Sequence, residues 1–112
     1  MFSGCRNLTS IPINLLPATT LKSSCYQEMF MDCTSLSNFV HFPNITVAYS
    51  CCRSMYENCS SLKGNVQDFI STAYDNNNAT YCFYNIFKNC SLLKGTFTYP
   101  GCGGNYAWYS AF

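Results

Sequence analysis

Charge is what this sequence has least of. Only 10% of its 112 residues are Asp, Glu, Lys or Arg, and the formal net charge is +1. There is no basic field to attract phosphates, which argues against a nucleic-acid binder. Long apolar runs are missing as well. None approaches the roughly 18 to 20 residues of a membrane helix, and no basic start followed by an apolar stretch marks a signal peptide. Acid–base groups are scarce, with one histidine (His41) and five acidic residues spread along the chain, a poor supply for catalysis. Neutral polarity takes the place of charge: 34 positions are Ser, Thr or Asn, beside 17% aromatics and nine cysteines. A chain kept wet by hydroxyls and amides fits a packed structural module of the extracellular type. Its length allows one domain, residues 1–112, with one modest core.

The cysteines fall into a repeat. Four segments align: Met1-Phe2-Ser3-Gly4-Cys5-Arg6-Asn7-Leu8, Met29-Phe30-Met31-Asp32-Cys33-Thr34-Ser35-Leu36, Met55-Tyr56-Glu57-Asn58-Cys59-Ser60-Ser61-Leu62 and Ile86-Phe87-Lys88-Asn89-Cys90-Ser91-Leu92-Leu93. Each reads apolar, aromatic, any, Gly/Asp/Asn, Cys, any, any, Leu. A second cysteine block precedes the last three, at Cys25-Tyr26, Cys51-Cys52 and Cys82-Phe83. A decayed fifth copy closes the chain at Ala111-Phe112. The repeats run approximately 1–28, 29–54, 55–85 and 86–110, with a truncated fifth at 111–112.

Spacing within the repeat suggests local structure. Cys25, Met29 and Cys33 fall at i, i+4 and i+8, as do Cys51, Met55, Cys59 and Cys82, Ile86, Cys90. That predicts one face of a helix of two to three turns. Tyr26 with Phe30, and Phe83 with Phe87, form a second row. The Gly4/Asp32/Asn58/Asn89 position suits a left-handed residue at the helix end. Short strands are expected after the turn, over 8–13, 36–42, 62–69 and 93–99, with Gly64 and Gly95 as bulge positions. Variable loops then fill 14–20, 43–46, 71–78 and 100–105. The fold class expected is an α/β repeat of about four helix–turn–strand units with a parallel sheet, a solenoid of the leucine-rich-repeat kind.

The block Met-Phe-x-Gly-Cys-x-x-Leu, with Cys-Tyr-x-x-Met-Phe upstream, resembles the repeats of BspA-like leucine-rich-repeat surface proteins. The resemblance spans essentially the whole chain. It implies a right-handed solenoid and a role in adhesion or host-protein binding at a microbial surface. Some phage-encoded proteins carry similar repeats, so the alternative is a structural or host-contact component of a virion. The repeat is longer and more irregular here than the family's roughly 23 residues.

On helices packed about 8–10 Å apart, equivalent cysteines exceed the 7 Å reach of a disulfide. Cys5, Cys33, Cys59, Cys90 and Cys25, Cys51, Cys82 therefore read as two ladders of reduced, mostly buried thiols. Cys102, in a Gly-rich loop, is the more reactive candidate. Zinc wants close C-x₂-C pairs, whereas C-x₇-C recurs here, and Cys51 and Cys52 would point to different sides of a helix. A cysteine nucleophile lacks a nearby base, since His41 stands alone. Five Asn-x-Ser/Thr sequons occur, two of them by-products of the repeat turn. Trp108 continues the core row of Tyr26 and Phe83.

The function expected is a non-enzymatic binding or adhesion module, without metal or cofactor, at a cell surface or in the extracellular space. Residues expected to build the repeat are Cys5, Leu8, Cys25, Met29, Phe30, Cys33, Leu36, Cys51, Met55, Cys59, Leu62, Cys82, Ile86, Phe87, Cys90 and Leu93. Candidate surface residues are His41, Gln67, Thr98, Tyr106 and Tyr109. The expected partner is a protein or glycan, with no nucleic acid and no membrane insertion. Because the first and last copies begin and stop inside the motif, further repeats or self-association are expected at the ends.

Overall fold

A computed structural model describes residues 2–16, 20–75 and 81–94 of the chain. The segments expected to be helical run as ribbons of consecutive turns, and no α-helix occurs among the described residues. In the second repeat the amides of Cys25, Gln27, Met29, Met31 and Cys33 donate three residues back along their own chain at 3.1–3.3 Å. The intervening amides of Ser24, Tyr26, Glu28, Phe30 and Asp32 donate to the next repeat instead. Their acceptors are the carbonyls of Tyr49, Cys51, Arg53, Met55 and Glu57, at 2.8–2.9 Å. The third repeat does the same through Cys52, Ser54, Tyr56 and Asn58 to Cys82, Tyr84, Ile86 and Lys88 at 2.8–3.0 Å. Phe2 and Gly4 reach Met29 and Met31 from the first repeat.

Every fourth residue of a ribbon is left-handed. Positive φ falls at Ser24, Glu28 and Asp32, at Ser50, Ser54 and Asn58, and at Tyr81, Asn85 and Asn89, all between 51° and 66°. Each such residue among the closed turns is third in its turn, the position where type II geometry requires positive φ. Gly4, at φ 75°, is the first-repeat member of the set.

An α-helix would consume every amide internally, and two to three turns are marginal alone. The ribbon spends half its amides on the neighbouring repeat. Coils joined this way stand about 4.8 Å apart, the spacing of hydrogen-bonded strands, rather than the 8–10 Å of packed helices. Two residues in four then face inward: Cys51 and Cys52, Met55 and Tyr56, and Cys59 are all fully buried. The expectation that Cys51 and Cys52 face different sides is corrected, because a four-residue ribbon buries adjacent residues as a pair. Burial of Met29, Phe30, Cys33, Ile86, Phe87 and Cys90 follows the same rule.

Strand positions also shift. The longer strands lie in the expected loops: β1 (Phe42–Val47) pairs in parallel with β3 (Ile70–Asp75), Phe42 opposite Ile70 and Val47 opposite Asp75. Thr20 bridges to Thr46 on the other side of β1. Only the two-residue β2 (Gly64–Asn65) and β4 (Leu93–Lys94), also parallel, fall in the expected strand zones. Between β2 and β3, Val66–Asp68 forms a 3₁₀ turn. Pro43 ends no strand because its missing N–H falls in a two-stranded sheet, where proline is tolerated. Residues 17–19, 76–78 and 100–105 of the expected loops lie outside the described residues, as do residues 95–99 of the last expected strand, Gly95 among them. Gly64 has φ 128°, and a Cβ there would stand 3.0 Å from the Phe39 ring, so only glycine suits this position.

Side chains stack in register between coils. Phe2, Phe30, Tyr56 and Phe87 form a column of near-parallel rings with centroids 5.5, 5.3 and 5.7 Å apart. Beside it the Asn58 amide donates to Asp32 and the Asn89 amide to Asn58, both at 2.7 Å. The next position is the cysteine. The thiols of Cys33, Cys59 and Cys90 donate to the carbonyls of Phe2, Phe30 and Tyr56 in the preceding repeat at 3.0–3.1 Å. The chain then turns, and Leu8, Leu36, Leu62 and Leu93 each donate their amide to the cysteine three residues back. Leu36 and Leu62 are fully buried; Leu8 and Leu93 pack partly buried against the core. Phe69 fills the interior, edge-on to Tyr56 and Phe87 at 6.0 and 5.3 Å. The Tyr56 hydroxyl accepts the Val40 amide at 3.0 Å, tying ribbon to strand side.

Candidate functional site

Exposed apolar side chains mark one face. Ile13 is 63% and Leu92 46% exposed, against a core whose members are nearly all below 9%. Each lines an open hollow. The first, about 360 Å³, is bounded by Ile13, Asn38, Phe39, His41, Lys63 and Asp68. The second, about 470 Å³, is bounded by Lys63, Gly64, Asn65, Leu92 and Lys94. Lys63 lines both, so the two hollows meet at its side chain as a two-part groove.

The backbone explains the placement. Thr9, Ser37 and Lys63 are linked by Ser37 N–H to Thr9 and Lys63 N–H to Ser37, at 2.9 and 3.1 Å. Gly64 pairs with Leu93. This row of coil-to-coil backbone bonds brings one residue set from each repeat to the same face. Asn38 locks the first two coils together: its side chain accepts the Ile11 amide at 2.9 Å and donates to the Ile11 carbonyl at 2.6 Å. His41 is exposed, and its Nδ1 donates to the Asp68 carbonyl, which holds the ring along the groove wall. Asp68 is the one carboxylate among the lining residues; it shares the first hollow with Lys63, and Lys94 lines the second.

Of the residues singled out from sequence, His41 sits in this groove. Gln67 lies on the 3₁₀ turn beside Asp68, with its side chain outside the described set. Thr98, Tyr106, Tyr109, Cys102 and Trp108 lie outside the described residues. Sequence reasoning missed Ile13, Lys63, Asp68, Leu92 and Lys94. The signal for two of them was present: Leu62-Lys63-Gly64 and Leu93-Lys94-Gly95 repeat the same triplet.

The thiols are free among the described residues, but their arrangement differs from expectation in two ways. Cys5 and Cys25, expected to be buried, are exposed; each is the first member of its ladder along the chain. The spacing that keeps the thiols apart is also not helix packing. In-register neighbours on hydrogen-bonded coils are about 4.8 Å apart at Cα, within disulfide range, yet side chains leaving in parallel keep that separation at Cβ, beyond the roughly 3.5–4.5 Å a disulfide wants. Cys51 lies 3.9 Å from the Cys52 sulfur. Hydrogen bonds from the Cys52 and Cys82 thiols lower the Cys51 thiol, while burial pushes Cys52 upward. This cluster is fully buried. Among the described residues no group of three or more His, Cys, Asp or Glu is placed to hold a metal ion, and no helix is long and apolar enough to cross a membrane.

A separate cluster occupies the ribbon side. The Arg53 guanidinium lies 4.9 Å from the Tyr84 ring centre and 5.9 Å from that of Tyr81, with Tyr49 edge-on to Tyr81. Arg53 is held there by cation–π attraction. Comparison with known protein families, curated proteins and solved structures finds no match.

Proposed function

We propose that this chain is a non-enzymatic binding module of the leucine-rich-repeat kind, a right-handed solenoid displayed at a microbial cell surface or outside the cell. Its partner is a protein held along the groove. The observation that carries this reading is the pair of exposed apolar residues, Ile13 and Leu92, one in each of the two hollows that meet at Lys63. Well-buried cores leave large apolar side chains outside singly, whereas two in adjoining hollows with polar walls resemble interface anchors. Supporting it are the coil-to-coil amide bonds and the in-register ladders, which a stacked repeat array would produce. The resemblance of the eight-residue block to BspA-like surface proteins supplies the setting.

Beads carrying the chain, flowed over immobilised host-cell and matrix proteins, test it. Retention is expected for the native chain and for Tyr49→Glu, with loss for Leu92→Glu. Retention that ignores Leu92→Glu would refute the groove as the binding face.

A further inference from the structure

We infer a second binding site, outside the groove and on the ribbon side: tyrosine rings gathered around Arg53 that take an acidic saccharide of the hexuronate class. Three large apolar side chains stand exposed among the described residues. Ile13 and Leu92 line the hollows, but Tyr49, 40% exposed, lines neither. Its ring is edge-on to Tyr81 at 6.4 Å, and Tyr81 is edge-on to Tyr84 at 5.4 Å. The Arg53 guanidinium lies against both Tyr81 and Tyr84. The repeat sets these groups side by side. Gln27, Arg53 and Tyr84 each stand three residues before the stacked aromatic of their coil. The amides of Glu28 and Ser54 bond to the Arg53 and Tyr84 carbonyls at 2.9 and 2.8 Å, which makes Arg53 and Tyr84 neighbours on adjacent coils.

Arg53 differs from the other cations. Arg6, Lys22, Lys63, Lys88 and Lys94 are exposed, whereas Arg53 is half-buried. Yet among the described residues its guanidinium has no hydrogen bond and no ion pair, and the two rings alone hold it. The Glu57 carboxylate, one turn along the ribbon, accepts the Ser54 hydroxyl at 3.2 Å instead. Partial burial strips water from the guanidinium without supplying an acceptor. The rings restrict its rotation, so the planar fork is held ready for a carboxylate.

The tyrosines decide what carries that carboxylate. Their ring faces are apolar and electron-rich, which matches the C–H face of a pyranose. In a hexuronate the carboxylate is equatorial, close to the mean plane of the sugar. A sugar lying flat on this platform presents it sideways, toward Arg53. A free phosphate would engage Arg53 and leave the tyrosines unused, and a nucleic-acid backbone asks for many cations in a row.

Isothermal titration of the whole chain with trigalacturonic acid tests the site, with its methyl ester and triglutamic acid as comparators. The ester keeps the sugar rings without the charge; triglutamic acid keeps the charge without the rings. The acidic saccharide is expected to bind about fivefold or more tighter than either, and to weaken as salt rises from about 50 to about 300 mM. Arg53→Gln should abolish its advantage over the ester, and Tyr49→Ser should weaken it about threefold or more. Both variants copy the second repeat, where Gln27 and Ser23 hold the equivalent positions and are exposed. An unchanged amide spectrum establishes that each is folded. The site is independent of the groove, so Leu92→Glu should leave the affinity unchanged. Equal binding of the acidic saccharide and its ester would overturn carboxylate recognition by Arg53. Equal binding of triglutamic acid would overturn the saccharide in favour of an acidic peptide. Binding lost in Leu92→Glu but kept in Arg53→Gln would overturn the placement, and no binding of trigalacturonic acid would overturn the site.

Discussion

Replacing Glu28 with glycine is expected to stabilise this protein. Glu28 is exposed and has φ 57°. A side chain in that left-handed conformation costs about 1–2 kcal/mol because Cβ crowds the following carbonyl. Glycine removes the clash but adds unfolded-chain freedom, worth about 0.5–1 kcal/mol against it. The Glu28 amide keeps its bond to the Arg53 carbonyl, since glycine retains its N–H. The net expectation is a gain of about 0.5–1 kcal/mol, seen as a higher urea midpoint with an unchanged slope. Gln27, one residue earlier, is not left-handed, so Gln27→Gly should lose about 0.5–1 kcal/mol. An α-helix over the same residues would make both changes destabilising by about 1 kcal/mol. Two losses would therefore refute the turn ribbon, and opposite signs at adjacent positions would support it.

Tyr56→Phe keeps the stacked ring but strips the buried Val40 amide of its acceptor; a loss of about 1–3 kcal/mol in urea unfolding is expected, and a neutral result would mean that this bond is not made. Alkylation followed by mass mapping should label Cys5 and Cys25 first and leave Cys33, Cys51, Cys52, Cys59, Cys82 and Cys90 protected until unfolding. Fast labelling of Cys59 would contradict its burial. Burial pushes the Cys59 and Cys90 thiols up to about 12 from the ordinary 9.0. The unfolded chain releases those protons first, so the stability they contribute is complete below about pH 9 and is lost as pH rises toward 12. A Cys59→Ala, Cys90→Ala variant should show a shallower alkaline decline in its urea midpoint; an identical decline would remove the thiols as its cause.

Inward-facing residues of the repeated block were legible in the sequence, because in-register burial imposes one residue type per position. Met55, Cys59, Leu62 and Phe87 were all found this way. The conformation of the repeat was not. A spacing of i, i+4, i+8 was assigned to a helix, although two such steps leave a helix about 80° out of line. A repeat of four that holds in Cys25-Met29-Cys33 and twice more is a ribbon's period, not a helix's. Glu28 and Ser54 also hid the left-handed positions, since only Asp32, Asn58, Asn85, Asn89 and Gly4 carry residues known to favour them. The groove was illegible for a different reason. Its residues come from all four repeats, and Ile13 and Leu92 stand at non-equivalent positions of the motif, so no repeated residue type marks them.

The account rests on amides that bond alternately within a ribbon and across to the next repeat. Couplings transmitted through hydrogen bonds, measured by NMR on the isotope-labelled chain, read those pairs directly. Correlations from the Phe30 nitrogen to the Met55 carbonyl and from the Asp32 nitrogen to the Glu57 carbonyl are expected, beside those from Met29 to Tyr26. Correlations from Phe30 to Tyr26 and from Asp32 to Glu28, four residues back along the same segment, would show an α-helix and contradict the account.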